Sequence, residues 1–313
     1  MFKVYKNFLI PKNLKRSILL IGNFDGLHIG HQKIFDLANK YKNKYKLKIG
    51  VLTFDPLPIM FFNHKIKNYR LTNNLQKFNL LEKIGVDFVI NKKFDLKFSR
   101  IKYEKFIKNI IVKKINPEFI FVSNNFRYGN KRKGDVKSLI KHGKKYGFNV
   151  VKPKPLKLNK QIISSTFIRN LLKKGKIKIV NKLLSRNWVI NGVVQKGEKL
   201  GKRLGFPTCN IDIKNYISAK PGVYSIKVSI NESKKILNGI AYLGNRPTFG
   251  GKKLLLEANL FGFHGNLYKK SLNVYFCSYI RRDMKFKNKT SLIDQMKKYL
   301  MYAKSNLEIK LSL

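Results

Sequence analysis

The sequence predicts two domains: an α/β domain on a parallel sheet, then a small antiparallel β-barrel with a C-terminal helix. Three observations carry this. Through residue 184, short apolar runs alternate with amphipathic stretches at the pitch of strand–helix units. From about Arg186 the pattern becomes period-2 and is punctuated by glycine, as in antiparallel sheet. From Ser291 apolar residues return to helical spacing. The change of pattern at 184–188 divides the chain into residues 1–184 and 185–313, which fits about 150 residues per domain.

The elements of the first domain follow in order. Apolar runs at Ile18–Ile21, Ile49–Thr53, Val86–Ile90, Phe119–Val122 and Phe148–Val151 predict strands. Between them Gly30–Tyr41, Asn74–Lys83, Tyr103–Ile115 and Asp135–Tyr146 predict helices; Phe106, Ile107, Ile110 and Ile111 recur at helical spacing. Two further helical stretches, 171–173 and 179–184, follow Ser165. In the barrel, Tyr224, Ile226, Val228 and Ile230 share one strand face, with Ser225, Lys227 and Ser229 opposite. Leu254, Leu256, Ala258 and Leu260 share another, with Glu257 and Asn259 opposite. Ser291 and Asp294 make a capping-box-like helix start, followed by a stripe of Leu292, Met296, Tyr299, Leu300 and Ala303.

Composition bounds the function. The net charge is +51, from 67 basic and 16 acidic residues. Only 11 of the basic residues are Arg, and the lysines are scattered along the chain. Lys, Ile and Asn share AT-rich codons, and nucleic-acid readers favour the planar fork of Arg. The charge therefore reads as a solvated surface on an enzyme of anionic substrates, with RNA binding the lesser alternative. No apolar run approaches the roughly 20 residues of a membrane span, and no signal peptide is read at the start. Two cysteines make neither a disulfide framework nor a structural zinc site. A cytoplasmic protein without membrane or specific nucleic-acid partners is expected.

Two strings carry chemistry. The first is Gly22-Asn23-Phe24-Asp25-Gly26-Leu27-His28-Ile29-Gly30-His31, directly between a strand and a helix. Its glycines let backbone approach a ligand, and a helix N-terminus offers unpaired N–H groups to phosphate. His28 and His31, three apart, can face one way and donate to phosphate oxygens as charge develops. A metal pair is the rival reading, and a glycine-rich turn with two surface histidines the bland one. Further on, Ile163-Ser164-Ser165-Thr166-Phe167-Ile168-Arg169 opens a helix with hydroxyls and an Arg, which suits a triphosphate clamp or an ordinary N-cap.

The second string spans residues 192–211, with Gly197, Gly201 and Gly205 spaced as in a loop over phosphates, and ends Phe206-Pro207-Thr208-Cys209-Asn210-Ile211. It lacks the Walker A pattern. Thr208 and Asn210 point to one side of an extended chain and offer hard oxygen ligands suited to Mg²⁺. Cys209 faces the other way and reads as a small buried residue. Glu257 reads either as a general base or as a solvated strand carboxylate.

These strings resemble the bifunctional riboflavin kinase/FAD synthetases of bacteria. The likeness continues through Thr53-Phe54-Asp55-Pro56, Arg70-Leu71-Thr72, Asn125-Phe126-Arg127-Tyr128-Gly129, Gly222-Val223-Tyr224, residues 244–250, Leu256-Glu257 and residues 280–286. It implies a Rossmann-like nucleotidyltransferase domain that joins AMP from ATP to FMN, giving FAD and pyrophosphate. There Gly22, Asn23, Phe24, Asp25, Gly30, Ser164, Thr166 and Arg169 would bind ATP, His28 and His31 would act on its phosphates, and Asn125 would contact flavin substrate. The barrel would be the riboflavin kinase. Glu257 would activate the ribityl 5′-hydroxyl, Thr208 and Asn210 would hold Mg²⁺, Gly197, Gly201 and Gly205 would cover ATP phosphates, and Arg281 would lie at the flavin. The chain departs from the family at Leu57 (usually His), Ser123 (usually Gly), Asn259 (usually His), and Gly262 and Asn266 (usually acidic). Activity of one module alone is the nearer alternative.

Overall fold

A computed structural model describes residues 2–196, 207–213, 216–231, 233–248, 251–282 and 284. The chain divides into two compact units, 1–67 with 74–164, and 68–73 with 165–313.

The first unit is built on a six-stranded sheet in the order β1-β4-β3-β2-β5-β8, with every pairing parallel. Its strands are β1 (Lys3–Tyr5), β2 (Ile18–Ile21), β3 (Ile49–Asp55), β4 (Phe88–Lys93), β5 (Phe119–Phe121) and β8 (Asn149–Val151). Short pairs β6 (Arg127–Tyr128) with β7 (Gly134–Asp135), and β9 (Lys157–Leu158) with β10 (Gln161–Ile162), sit in the connections. All four residues of β2 are buried, as an apolar strand covered on both faces must be. Leu19, Ile21, Leu52 and Ile90 pack on one side with Phe106, Ile107 and Ile111. Ile18, Leu20, Val51 and Val89 pack on the other with Phe35, Ala38 and Leu81.

The helices are α1 (Ile29–Tyr45), α2 (Pro58–Phe62), α3 (Asn74–Lys83), α4 (Leu96–Ser99), α5 (Tyr103–Lys105) and α6 (Val136–Tyr146). Three of them, α1, α3 and α6, keep close to the expected boundaries, while the short α2 and α4 were not expected. In α6, Asp135 and Ser138 form a reciprocal capping box, and Gly147 closes the helix at φ 79°. The stretch expected as one α-helix over 103–115 instead widens after α5 into a π-helix, Phe106–Ile115. Asn116 N–H closes it on Ile111 O at 2.7 Å. Apolar residues at 106, 107, 110, 111 and 115 suit either pitch, so periodicity alone does not separate them.

The second unit holds α7 (Ser165–Lys173), α8 (Ile177–Leu184) and a closed barrel in the order β11-β12-β15-β14-β13-β16. The strands are β11 (Trp188–Gln195), β12 (Cys209–Asp212), β13 (Gly222–Ile230), β14 (Ile236–Thr248), β15 (Gly251–Leu260) and β16 (Ser271–Arg281), all antiparallel. Tyr224, Ile226, Val228, Leu256, Ala258, Val274 and Phe276 fill the interior, as the alternation predicts. Asn181 ties α8 to the barrel, donating to Phe276 O at 2.8 Å and accepting from Trp188 N–H at 2.8 Å. Strand periodicity begins at 184–188, but compactness groups α7 and α8 with the barrel, so the two divisions of the chain differ by some twenty residues. The helix expected from Ser291 lies outside the described residues.

Candidate active sites

In the first unit the Gly22–His31 string occupies the carboxyl edge of β2, where open α/β sheets bind ligands. Gly22 N–H is held by Leu52 O at 3.1 Å. Phe24, Gly26 and Leu27 all take left-handed φ, at 46°, 82° and 40°. Two non-glycine residues in that region store strain, and such turns aim N–H groups into anion-binding concavities. His28 is the N-cap of α1: its Nδ1 accepts the His31 N–H at 3.3 Å. The two imidazoles stack at 3.7 Å and 20°, so the expectation that they face one way holds. Burial, then the neighbouring His28, lowers the His31 pKa well below its usual value. Its Nδ1 is shielded and has no hydrogen-bond partner among the described residues. At Gly30 a Cβ would lie 3.1 Å from His28 Nδ1 and 3.3 Å from Ile163 O. Glycine therefore lets the Ile163–Ser164 backbone close on the first turn of α1. Asp25 is buried and Asn23 exposed.

A neighbouring cleft of ≈ 710 Å³ is walled by Gly22, Asn23, Phe54, Phe62, Phe126 and Tyr128. Asn125 also lines it, with its Oδ1 accepting from Ser123 Oγ at 2.9 Å. The serine that replaces the family's usual glycine thus orients the expected substrate residue. Phe126 and Tyr128 stack at 5.5 Å and 16°. Phe54, Phe126 and Tyr128 fall within the family-like strings, but nothing local in the sequence marks them as walls of one cleft with Phe62. Leu57, in place of the usual His, is buried in the core.

Thr166 and Arg169 belong to the second unit, on α7. Thr166 is exposed. Arg169 is buried, its guanidinium 3.7 Å over the Tyr69 ring and its Nε donating to Tyr69 O at 2.8 Å.

The barrel assembles its residues by register. Gln195 faces Asn210, Asn210 faces Glu257, and Glu257 faces Tyr242 across β11, β12, β15 and β14. The row continues through Val223 to Arg281. Directly opposed residues share a face, so Asn210 and Glu257 stand together outside the barrel, while Cys209 and Ala258 oppose each other inside. Burial pushes the Cys209 thiol up to about 11, which suits a packing residue and not a nucleophile. Beside the row lies a cleft of ≈ 510 Å³ lined by Thr208, Asn210, Gln195, His264 and Tyr268. Asn210 Oδ1 is shielded and has no hydrogen-bond partner among the described residues, an oxygen that suits a hard cation. Asn259, where the family usually has His, donates Nδ2 to Pro207 O at 2.7 Å and so holds the residue before Thr208. Gly262 adopts φ 64°, and Asn266 Oδ1 accepts the Tyr268 N–H at 2.9 Å; both serve the turn in place of acids. Arg281 donates to Arg282 O at 2.7 Å. Gly197, Gly201 and Gly205 lie outside the described residues. Among the described residues no cluster of three or more His, Cys, Asp or Glu is placed to hold a metal ion.

Two family models match the chain: FAD synthetase over residues 10–167 and riboflavin kinase over residues 184–307. A bifunctional riboflavin kinase/FMN adenylyltransferase of Buchnera aphidicola (subsp. Schizaphis graminum) is 38% identical over 293 residues, covering 91% of this chain and 94% of the relative. One of Haemophilus influenzae is 36% identical, with 93% and 94% covered. A crystal structure described as a macrolide-efflux protein from Streptococcus pneumoniae matches all of this chain and 99% of its own, with TM-score 0.84 and 27% identity.

Proposed function

As a member of the bifunctional riboflavin kinase/FMN adenylyltransferase family, to which this chain belongs, the protein makes FMN and then FAD, and we propose that the two sites above divide the work. Residues 1–184 form the adenylyltransferase and 185–313 the kinase, a division that the limits of the two family matches support.

In the barrel, Glu257 takes the proton of the ribityl 5′-hydroxyl of riboflavin as that oxygen attacks the γ-phosphorus of ATP, and ADP leaves. Thr208 and Asn210 hold Mg²⁺, which when bound neutralises phosphate charge. Gly197, Gly201 and Gly205 serve to bind the ATP phosphates, and Arg281 to bind the flavin. The register that sets Asn210 opposite Glu257 supports this assignment, since directly opposed residues share a face of the sheet.

In the first domain a phosphate oxygen of FMN attacks the α-phosphorus of ATP and pyrophosphate leaves. Gly22, Asn23, Phe24, Asp25 and Gly30 shape the phosphate loop, and His28 and His31 donate to the charge that develops. Ser164, Thr166 and Arg169 bind the remaining phosphates. Flavin enters the aromatic cleft, with Asn125 at its wall. The described residues include no helix long and apolar enough to cross a membrane; we place the enzyme in the cytoplasm.

Incubation with riboflavin, ATP and Mg²⁺, with flavins resolved by chromatography, tests the reading. FMN is expected first and FAD after it, and a chelator should stop both. Formation of FAD from supplied FMN without any FMN from riboflavin would remove the kinase assignment.

A further inference from the structure

We propose that Lys77 is a positioning residue for the phosphate loop, acting through Thr53 on the Asn23–Phe24 peptide. Among the described residues Lys77, 2% exposed, is the only buried lysine. Long ammonium side chains are rarely buried unless something holds them. Its Nζ lies 3.1 Å from Thr53 Oγ1, and that oxygen lies 3.3 Å from Asn23 O.

The direction of the chain of bonds follows from the groups. An ammonium has three protons and no lone pair, so it can only donate. The Thr53 hydroxyl, fully buried at 0% exposure, accepts from Lys77 and turns its own proton to the Asn23 carbonyl. A charge-assisted bond polarises the next one in line, more strongly in a low-dielectric interior. The carbonyl so polarised shares its peptide with the N–H of Phe24, which becomes a better donor to an anion. Phe24 is one of the strained residues, at φ 46°, and such backbone persists only where its surroundings fix it. Its ring meets His31 at 5.2 Å and Phe35 at 5.1 Å. One end of the peptide is thus held by Lys77 and Thr53, the other by packing against His31 and Phe35.

This rests on the reading that the Gly22–His31 loop receives ATP phosphates, and the test separates the two. With the full-length protein, FMN, ATP and Mg²⁺, Lys77→Met and Thr53→Val should each lower kcat/KM for ATP in FAD formation about 10- to 100-fold, the scale of a displaced catalytic group. KM for FMN and the phosphorylation of riboflavin should not change. Thr53→Ser, which keeps the hydroxyl, should restore most of the rate. Because both residues act through one chain of bonds, the double variant should be no worse than the more severe single. If Lys77→Met does not fold, Thr53→Val, a change of nearly constant volume, carries the test. Losses that multiply in the double variant, or that track the fraction of unfolded protein in thermal melts, overturn the relay. His31→Ala in the same assay is the control. If it loses FAD formation while Thr53→Val does not, only the relay falls. If it keeps FAD formation, the loop assignment falls first.

Discussion

His31 joins burial, charge and chemistry in one side chain. Its lowered pKa means that the folded protein resists a proton which the unfolded chain accepts near 6.5. The unfolded state therefore binds more protons below that value, and stability falls as pH drops from about 6.5 toward the depressed folded pKa. The contribution is fully present above 6.5. Urea unfolding at pH 7.5 and 5.5 should show a smaller acid loss in His31→Gln than in wild type; an equal loss would assign the effect to other groups. Asn259 gives a second prediction at this scale. Asn259→Ala removes a buried donor to Pro207 O, and a lost buried hydrogen bond of this kind costs about 1–3 kcal/mol. Riboflavin phosphorylation should drop about tenfold or more on that scale. Asn259→His should retain more activity, since imidazole N–H can donate; Asn259→Asp should not, since a carboxylate cannot. Activity in the Asp variant equal to wild type would remove the anchor.

At the scale of elements, β12 and β15 act as one device, because the pairing that builds the barrel also sets Asn210 against Glu257. Glu257→Gln should cut FMN formation by about 10²–10⁴, the scale of a lost general base. Thr208→Val and Asn210→Leu should weaken the response to Mg²⁺, and raising Mg²⁺ should rescue them in part but leave Glu257→Gln unchanged. Titration of kinase rate against Mg²⁺ separates the two classes; equal rescue of all three would reassign Glu257. Much of this was legible in the sequence, because alternation fixes which residues share a face. It could not show that Asn210 opposes Glu257, since register between residues 47 positions apart is set by the closure of the barrel. The parallel strands were also legible, as continuous apolar runs. The strand Lys3–Tyr5 was not, being three residues long and mostly exposed. The aromatic cleft was hidden because its walls come from separate connections. Lys77 was hidden because nothing local distinguishes it from the other lysines, and the stacking of Arg169 on Tyr69 joins residues 100 positions apart.

For the whole molecule, the charge of +51 makes weak retention on polyanions expected at low salt. Counterion competition should abolish it steeply as salt rises, while flavin turnover stays measurable. Tight, sequence-selective RNA binding at physiological salt would contradict that reading. The central claim is that two chemistries reside in separate domains of one chain, and a crossed pair of variants measures it most directly. Wild type, His31→Ala and Glu257→Gln are each given riboflavin with ATP and Mg²⁺, and separately FMN with ATP and Mg²⁺, and the flavins are resolved by chromatography. His31→Ala should accumulate FMN from riboflavin and make little FAD from either substrate. Glu257→Gln should make little FMN yet convert supplied FMN to FAD at the wild-type rate. Loss of both activities in either folded variant, or normal FAD output from His31→Ala, would contradict the account.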